Sequence, residues 1–185
     1  MVSTTTKPAA LESFLCLPET KPAYEFLDGQ ITQKPMPQGK HSLLQGSLCP
    51  AINQVAQPTK IAIAFPELRC TFGEASIVPD ISVFRWERIP RDQSGEVANR
   101  FEICPDWAIE ILSPEQRQIK VLENLLHCID HGTELGWLID SQDENILGIS
   151  SNRRIQIFKG ADTLPVLNGV NLALTAKQIF GWLKF

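Results

Sequence analysis

Short runs in which apolar and polar residues alternate predict most of the β-structure of this chain. YEFLDGQIT (24–32) has two extended halves joined by Asp28-Gly29, a dipeptide suited to a type I′ hairpin turn. IAIAFPELRCTFG (61–73) and ASIVPDISVFRW (75–86) predict two long strands broken at Gly73-Glu74. Further strands are predicted at 106–112, 135–140, 146–151 and 153–160.

Apolar residues at helical spacing predict four helices, at about 11–17, 40–55, 115–131 and 175–183. Pro50 predicts a kink in the second helix. The third helix lies between two predicted strands, a β-α-β order that normally joins parallel neighbours. Residues 87–104 contain many charges and predict a loop. We therefore expect a single α/β or α+β domain over 1–185, with a mixed central sheet flanked by helices. An N-terminal hairpin and helix complete it, and residues 1–8 are expected to be disordered.

Composition and charge limit the classes of protein that this chain can belong to. Its 185 residues suffice for one sizeable core, and the 43% apolar and 21% charged shares are ordinary for a globular protein. The net charge of −4 gives no overall attraction to nucleic acid or anionic lipid, so such contacts need a local patch. Five scattered cysteines indicate free thiols in a reducing compartment. Neither a signal peptide nor a membrane span is predicted, and we expect a cytoplasmic protein.

Two carboxylates stand alone in apolar strands. Asp80 is the one charge in IVPDISVF, and Glu110 is the one charge in WAIEIL. Alternation places Asp80 on the strand face of Ser82 and Glu110 on that of Ala108. If the two strands are neighbours, both carboxylates meet on one side of the sheet. Carboxylates completed by water are the ligands that Mg²⁺ prefers.

A structural explanation exists for each residue alone. Asp80 follows Pro79 and can simply form a turn, and Glu110 can pair with one of the seventeen Lys and Arg side chains. Two isolated carboxylates in two apolar strands nevertheless favour a functional site.

Several motifs together resemble a known family. YEFLDGQI, the helix start at His41-Ser42, VPDISVF, PDWAIEILSP and GWLID are similar, in the same order, to motifs of the Uma-type family of restriction-endonuclease-like proteins. That family belongs to the PD-(D/E)XK nuclease superfamily. The resemblance implies hydrolysis of DNA phosphodiester bonds assisted by Mg²⁺ or Mn²⁺. It also implies a homodimer.

Matched residue by residue, the resemblance implies a metal site. Asp80 falls on the motif aspartate and Glu110 on the acidic residue of the (D/E)XK half. Glu25 falls on a recurrent glutamate that would be a third metal ligand. His41 falls near the cleft, although a histidine at such a position is more often a helix-start hydrogen-bonding residue.

The lysine of the motif is missing. Leu112 stands two residues after Glu110, and Asn124 occupies the helical position where the family typically carries the lysine. Lys120 lies one turn earlier on the same helix face, about 6 Å along the axis. We therefore expect Lys120, with Asn124 nearby, to complete the catalytic set. The alternative is that this face is merely solvated and that the chain is a catalytically degenerate DNA-binding or interaction module.

The charged loop is the best local basic patch on this acidic chain. Its arginines are predicted to contact DNA phosphates. They are Arg85, Arg88, Arg91 and Arg100.

Overall fold

The computed structural model describes residues 10–114 and 116–184, so the predicted disorder of residues 1–8 lies outside the described residues. The helices of the described part are α1 (Leu11–Leu15), α2 (Gly39–Ala56), α3 (Gln118–Asp130) and α4 (Ala176–Gly181). Its strands are β1 (Tyr24–Leu27), β2 (Gln30–Gln33), β3 (Ala62–Pro66), β4 (Cys70–Phe72), β5 (Ala75–Ile77), β6 (Ile81–Arg85), β7 (Trp107–Leu112), β8 (Leu135–Asp140), β9 (Asn145–Ser150) and β10 (Ile155–Lys159).

Six strands form the central sheet, in the order β10-β9-β8-β7-β6-β3. β7 and β8 are parallel, and the other neighbouring pairs of this sheet are antiparallel. α3 connects the two parallel strands, so the predicted β-α-β unit is confirmed. The predicted mixed sheet is confirmed as well.

A second, smaller sheet has the order β2-β1-β5-β4, and the sequence did not predict it. The prediction of two long strands over 61–73 and 75–86 is wrong, because each run is divided between the two sheets. Pro66 is the last residue of β3 and Pro79 precedes β6, and proline cannot donate to a strand ladder. The short β4–β5 hairpin between them turns at Gly73-Glu74, with φ of 53° and 60°.

The predicted N-terminal hairpin is confirmed, and it is built into the smaller sheet. β1 and β2 are joined at Asp28-Gly29, both with positive φ as a type I′ turn requires. Phe26 of β1 pairs with Ser76 of β5. This pairing brings the hairpin against the chain that leads into β6.

α2 and α3 cover opposite faces of the central sheet. Leu48 and Ile52 of α2 pack in the core cluster that contains Ile109 of β7. Leu125 of α3 packs in the cluster that contains Ala108. Ile109 and Ala108 are consecutive in a strand and point to opposite faces, so the sheet has a helix on each side as predicted.

The helix boundaries agree with the prediction within two residues, except for α3. α3 begins at Gln118 and has Arg117 as its N-cap, whereas the prediction started it at about 115. A turn precedes the helix, closed by the Ser113 amide donating to Gln116 Oε1 at 3.0 Å. α2 runs through Pro50 as one helix.

All five cysteines are free, as predicted. Within the described residues, no helix combines the length and the apolar character needed to cross a membrane.

Candidate active site

Asp80 and Glu110 lie at one end of the β6–β7 strand pair. Asp80 directly precedes β6, and Ile81 pairs with Ile109, so Glu110 lies beside the start of β6. Ile109 packs in the α2 core cluster, and alternation therefore turns Glu110 toward the α3 side, whereas the Asp80 carboxylate at the start of β6 contacts His41 of α2. Both residues are only 2% exposed.

Lys34, immediately after β2, joins the two carboxylates. Its Nζ donates to Asp80 Oδ1 at 2.8 Å, to Glu110 Oε2 at 3.1 Å and to the Val78 carbonyl at 2.7 Å. These three bonds use all three donors of the ammonium group. The ammonium group of Lys34 thus links the two carboxylates, which lie on neighbouring strands, and their role as a shared site stays a prediction.

Asp80 is fully hydrogen-bonded. Its Oδ2 accepts from the Ile111 amide at 2.7 Å and from His41 Nε2 at 3.0 Å, while Oδ1 accepts from Lys34. Burial acts to raise the pKa of Asp80, but the Lys34 charge and the bond from His41 outweigh it, and the pKa lies well below its usual range. Asp80 is therefore a carboxylate at neutral pH.

Glu110 is only half satisfied. Its Oε1 is buried and has no hydrogen-bond partner among the described residues. Burial raises the pKa of Glu110 well above its usual value, the charges of Asp80 and Glu25 raise it further, and Lys34 opposes them. Lys34 also lies closer to Asp80 than to Glu110. We therefore assign the ammonium charge chiefly to Asp80, which leaves Glu110 as the less stabilised of the two carboxyl groups.

Lys34 keeps its charge in this buried position. Burial alone would lower the pKa of Lys34, but the carboxylates of Asp80, Glu110 and Glu25 outweigh it and raise the pKa above its usual value. Its side chain is 12% exposed. The site thus contains a fixed positive charge at its centre.

Glu25, in β1, is held beside this centre. Its Oε1 accepts from the Val78 amide at 2.8 Å, and its Oε2 accepts from Asn124 Nδ2 at 3.0 Å. Each oxygen already accepts one N–H, so Glu25 adds negative charge without presenting a free oxygen of the kind found on Glu110. Its role as a third metal ligand stays a prediction.

Lys120 is not in contact with this centre. Its Nζ pairs with Glu123 at 3.0 Å and donates to Gln30 Oε1 at 3.4 Å, and its side chain is 52% exposed. Asn124, one turn later, is bonded to Glu25. A catalytic role for Lys120 stays a prediction. The positive charge beside Asp80 and Glu110 is that of Lys34.

Two of the four predicted DNA-binding arginines form ion pairs within the protein. Arg85 makes a two-pronged contact with Glu134, at 2.7 and 2.8 Å. Arg88 bonds the carboxylate of Asp106 and donates to the Cys104 carbonyl at 3.2 Å. These contacts account for both side chains without DNA.

The other two arginines are exposed. Arg91 donates to the Gly95 carbonyl at 3.2 Å and stacks over the Trp86 ring. Arg100 lines a cavity of about 460 Å³ together with Arg69. Phosphate contact by this loop stays a prediction for both.

Two cavities open on either side of Lys34. The first has a volume of about 630 Å³ and the second about 460 Å³, and Lys34, Pro35 and Gln116 line both. The polar side chains of the first include Lys21, His41, Arg69 and Asp80. Those of the second include Glu25, Arg117, Lys120 and Asn124. Lys34 is therefore reachable from both cavities.

The carboxylate pair fits a hard divalent cation. No group of three or more His, Cys, Asp and Glu side chains in the described part of the chain is arranged to hold a metal. Mg²⁺, however, is commonly held by one or two carboxylates, with water and substrate phosphate as the other ligands. Glu110 Oε1 is a buried acceptor that lacks a donor, which is the kind of atom that such an ion binds. Asp80 and Glu110 are thus its candidate ligands.

Lys34 is the site residue that sequence reasoning missed. A weak signal was present, since Gln30, Thr32 and Lys34 alternate along one side of the predicted hairpin. The Lys34 amide donates to the Ala23 carbonyl at 2.9 Å, which extends the β1–β2 pairing by one step. Pro35 then ends the strand, because it has no amide hydrogen to continue the ladder.

Comparison with known proteins shows the family and the fold. A sequence model of the Uma2 family, described as "Putative restriction endonuclease", matches residues 11–177. The chain is 52% identical to a protein from Anabaena variabilis whose crystal structure is described as that of "a putative nuclease belonging to DUF820". The match covers 95% of this chain and 99% of that chain, with a TM-score of 0.93. No curated protein matches the sequence.

Proposed function

The chain belongs to the Uma2 family, and from that premise we propose that it is an endonuclease that hydrolyses DNA phosphodiester bonds with the help of a divalent metal ion. One observation carries the proposal. Asp80 and Glu110 are buried side by side, Asp80 lines an open cavity, and Glu110 keeps one oxygen without a partner in the described structure. A carboxylate held in this way destabilises the fold unless it takes up a proton or binds a cation.

Asp80 and Glu110 would hold Mg²⁺ or Mn²⁺, with Glu25 as the candidate third ligand. Such an ion, when bound, neutralises phosphate charge and makes a water molecule more acidic. The protein keeps Asp80 ionised and oriented through the bonds from Ile111 and His41. Asn124 orients Glu25 from the other side.

Basic side chains around the two cavities support DNA as the substrate. Lys21 and Arg69 line the first cavity, and Arg117 and Lys120 line the second. Lys21 and Arg117 could pair with phosphates on either side of the scissile bond, on a protein whose net charge is −4. Arg69 and Lys120 would have to exchange their ion pairs with Glu19 and Glu123 for phosphate. Arg91 and Arg100 of the charged loop would add contacts further along the DNA.

The proposal includes a homodimer in the cytoplasm. Two active sites in matching orientation can cut both strands of a duplex together, and a two-fold dimer supplies such a pair. The five free cysteines support a reducing compartment. Light scattering at micromolar concentration should give the mass of two chains.

The alternative is a catalytically degenerate module that binds DNA or a protein without cutting. It is favoured by Asn124, which stands where the family resemblance leads one to expect a lysine. Such a module would keep the fold and the basic cavities but would not cleave DNA.

A plasmid assay separates the two functions. We expect the purified protein to nick supercoiled plasmid with Mg²⁺ or Mn²⁺ but not with EDTA, and Glu110→Gln to abolish nicking. DNA binding without nicking would support the degenerate module. Nicking that persists in Glu110→Gln would contradict the assigned site.

A further inference from the structure

Lys34 has a position that a role in folding alone does not explain. It supplies one positive charge to a cluster of three carboxyl groups, and one of their buried oxygens still lacks a partner in the described structure. A purely structural ion pair would be expected to satisfy its partners fully, because an unsatisfied buried acceptor costs about 1–3 kcal/mol. The hydrogen bonds of the cluster are therefore incomplete in a way that a bound ligand would complete.

Lys34 is also accessible from the side on which a substrate would bind. Its side chain forms part of the wall of both cavities. In the described structure, no other Lys or Arg side chain forms an ion pair with Asp80 or Glu110. Lys120 pairs instead with Glu123, on the exposed face of α3.

We propose that Lys34 is the catalytic cation of this site and that its ammonium group exchanges one of its three present acceptors for an oxygen of the phosphate group that reacts. This assignment rests on the proposed endonuclease function. In the reaction, a water oxygen forms a bond to phosphorus and loses a proton to solvent. The phosphorus–oxygen bond to the leaving strand end breaks, its electron pair stays on that oxygen, and the oxygen gains a proton from solvent. The Lys34 ammonium group stabilises the negative charge that develops on the phosphate oxygens.

The positive charge of Lys34 could also be supplied from α3, because Val78 and Glu25 connect Lys34 to position 124. Lys34 donates to the Val78 carbonyl, and Glu25 accepts from the Val78 amide. Asn124 contacts the same Glu25 from α3. Position 124 is thus one carboxylate away from Lys34, and a lysine side chain is long enough to extend past Glu25 toward the same centre.

The experiment compares Lys34→Met, the double variant Lys34→Met/Asn124→Lys, Lys120→Ala and the exposed control Lys177→Met. Single-turnover cleavage of plasmid DNA is measured with Mn²⁺. We expect Lys34→Met to lower the rate constant by about 10²–10³ with little change in DNA affinity. Lys177→Met should cleave like the wild type, and the double variant should recover a measurable part of the rate.

Binding of Mn²⁺ without DNA, followed by calorimetry, gives a readout that does not depend on cleavage. Lys34→Met should bind Mn²⁺ about tenfold more tightly than the wild type, because a positive charge next to the same oxygens has been removed. A structural role would not predict both tighter metal binding and slower cleavage.

The remaining outcomes have defined meanings. An active wild type together with an equally active Lys34→Met overturns the assignment to Lys34 alone. An equal or larger loss in Lys120→Ala transfers the role to Lys120. An inactive wild type that binds Mn²⁺ overturns the proposed function itself. If Lys34→Met fails to fold even with Mn²⁺, the double variant decides: a folded, active double variant supports the assignment, and an inactive or unfolded one overturns it.

Discussion

The β6–β7 strand pair has buried carboxylates at both ends, and the two ends satisfy them differently. At one end Asp80 and Glu110 share the Lys34 ammonium group, and Glu110 Oε1 has no partner within the described residues. At the other end, about 13 Å away by the strand rise, a single carboxylate, Asp106, is held by several donors. The first end has more negative charge than its partners neutralise, and the second does not.

Asp106 is satisfied at both oxygens. Oδ1 accepts from Arg88, and Oδ2 accepts from the Arg85 amide at 2.7 Å. Burial acts to lower the pKa of Arg88, but its bond to Asp106 outweighs this and raises the pKa. The Asp106 carbonyl also accepts from the Glu134 amide at 2.9 Å, which links β7 to the start of β8. The Asp106 end therefore stabilises the fold.

The two ends differ in how completely their buried carboxylates are hydrogen-bonded. Both ends contain acidic residues that are 2% exposed, so burial alone does not separate them. The hydrogen bonds do separate them, because a fully bonded carboxylate has no need of a ligand. Proteins retain an unsatisfied group where function requires it, at a cost in stability.

The largest effect on stability should follow from removing the fully hydrogen-bonded carboxylate of Asp106. Asp106→Ala leaves the buried Arg85 amide without an acceptor and Arg88 without its partner, and should lower the free energy of unfolding by about 2–3 kcal/mol. Urea unfolding measures this loss. Glu134→Ala is the control, since Glu134 is 43% exposed at its side chain and an exposed ion pair contributes less than about 1 kcal/mol. A loss for Asp106→Ala no larger than that of the control would show that this end is not structural.

The sequence allowed prediction of Asp80 and Glu110 but not of their partner. A lone charge in an apolar strand stands out because the flanking residues show that the strand is buried. Lys34 follows a strand whose residues are all exposed, so no burial signal marks it. Its buried position arises from the smaller sheet, which depends on the long-range pairing of β1 with β5.

The fold was predicted where local pattern decides it. The helices and the β7-α3-β8 unit follow from periodicity and connection length, and they are confirmed. The division of two apparent strands between two sheets was missed, because alternation continues across Pro66 and Pro79 without showing where the chain changes sheets. Likewise, sequence alone could not show that Arg85 and Arg88 have acidic partners that lie far away in the chain.

A smaller effect on the free energy of unfolding, of opposite sign, should follow from a substitution of Glu110. Without divalent ions, Glu110→Gln should raise the free energy of unfolding relative to the wild type, and this advantage should grow from pH 5 to pH 8. The pKa of Glu110 is raised by folding, so the folded wild type holds a proton that the unfolded chain has released. Wild-type stability is therefore full below the ordinary glutamate pKa of 4.5 and falls as the pH rises toward the raised folded pKa.

Urea unfolding at several pH values tests this difference. The lowered pKa of Asp80 acts in the other direction, since its contribution is present above 3.8 and is lost as the pH falls. That acid loss should occur in both proteins and cancel in the comparison. Excess Mg²⁺ at pH 8 should stabilise the wild type more than Glu110→Gln. Parallel pH curves for the two proteins would show that Glu110 is not the strained group.

The smallest effect is on the salt dependence of DNA binding. It depends on which arginines of the charged loop lie near the Asp80–Glu110 end. The loop leaves β6 at the Asp106 end, but it returns to the smaller sheet, where the Thr71 amide donates to the Phe101 carbonyl at 2.9 Å. This return brings Arg100 to a cavity that it shares with Arg69, which also lines the first cavity beside Asp80. Arg91 remains at the turn of the loop, bonded to the Gly95 carbonyl.

Arg100→Ala and Arg91→Ala therefore form a matched pair of exposed arginines in one loop. Each phosphate contact contributes about 0.9 to the slope of log K against log salt concentration. We expect Arg100→Ala to reduce that slope by about 1 and Arg91→Ala to leave it unchanged, measured by fluorescence anisotropy with a short DNA duplex over a salt series. Equal changes in the two variants would mean that the whole loop contacts DNA, as the sequence alone predicts. An unchanged slope in both would confine the DNA to the two cavities beside Lys34, and the Asp106 end would then be structural together with its entire loop.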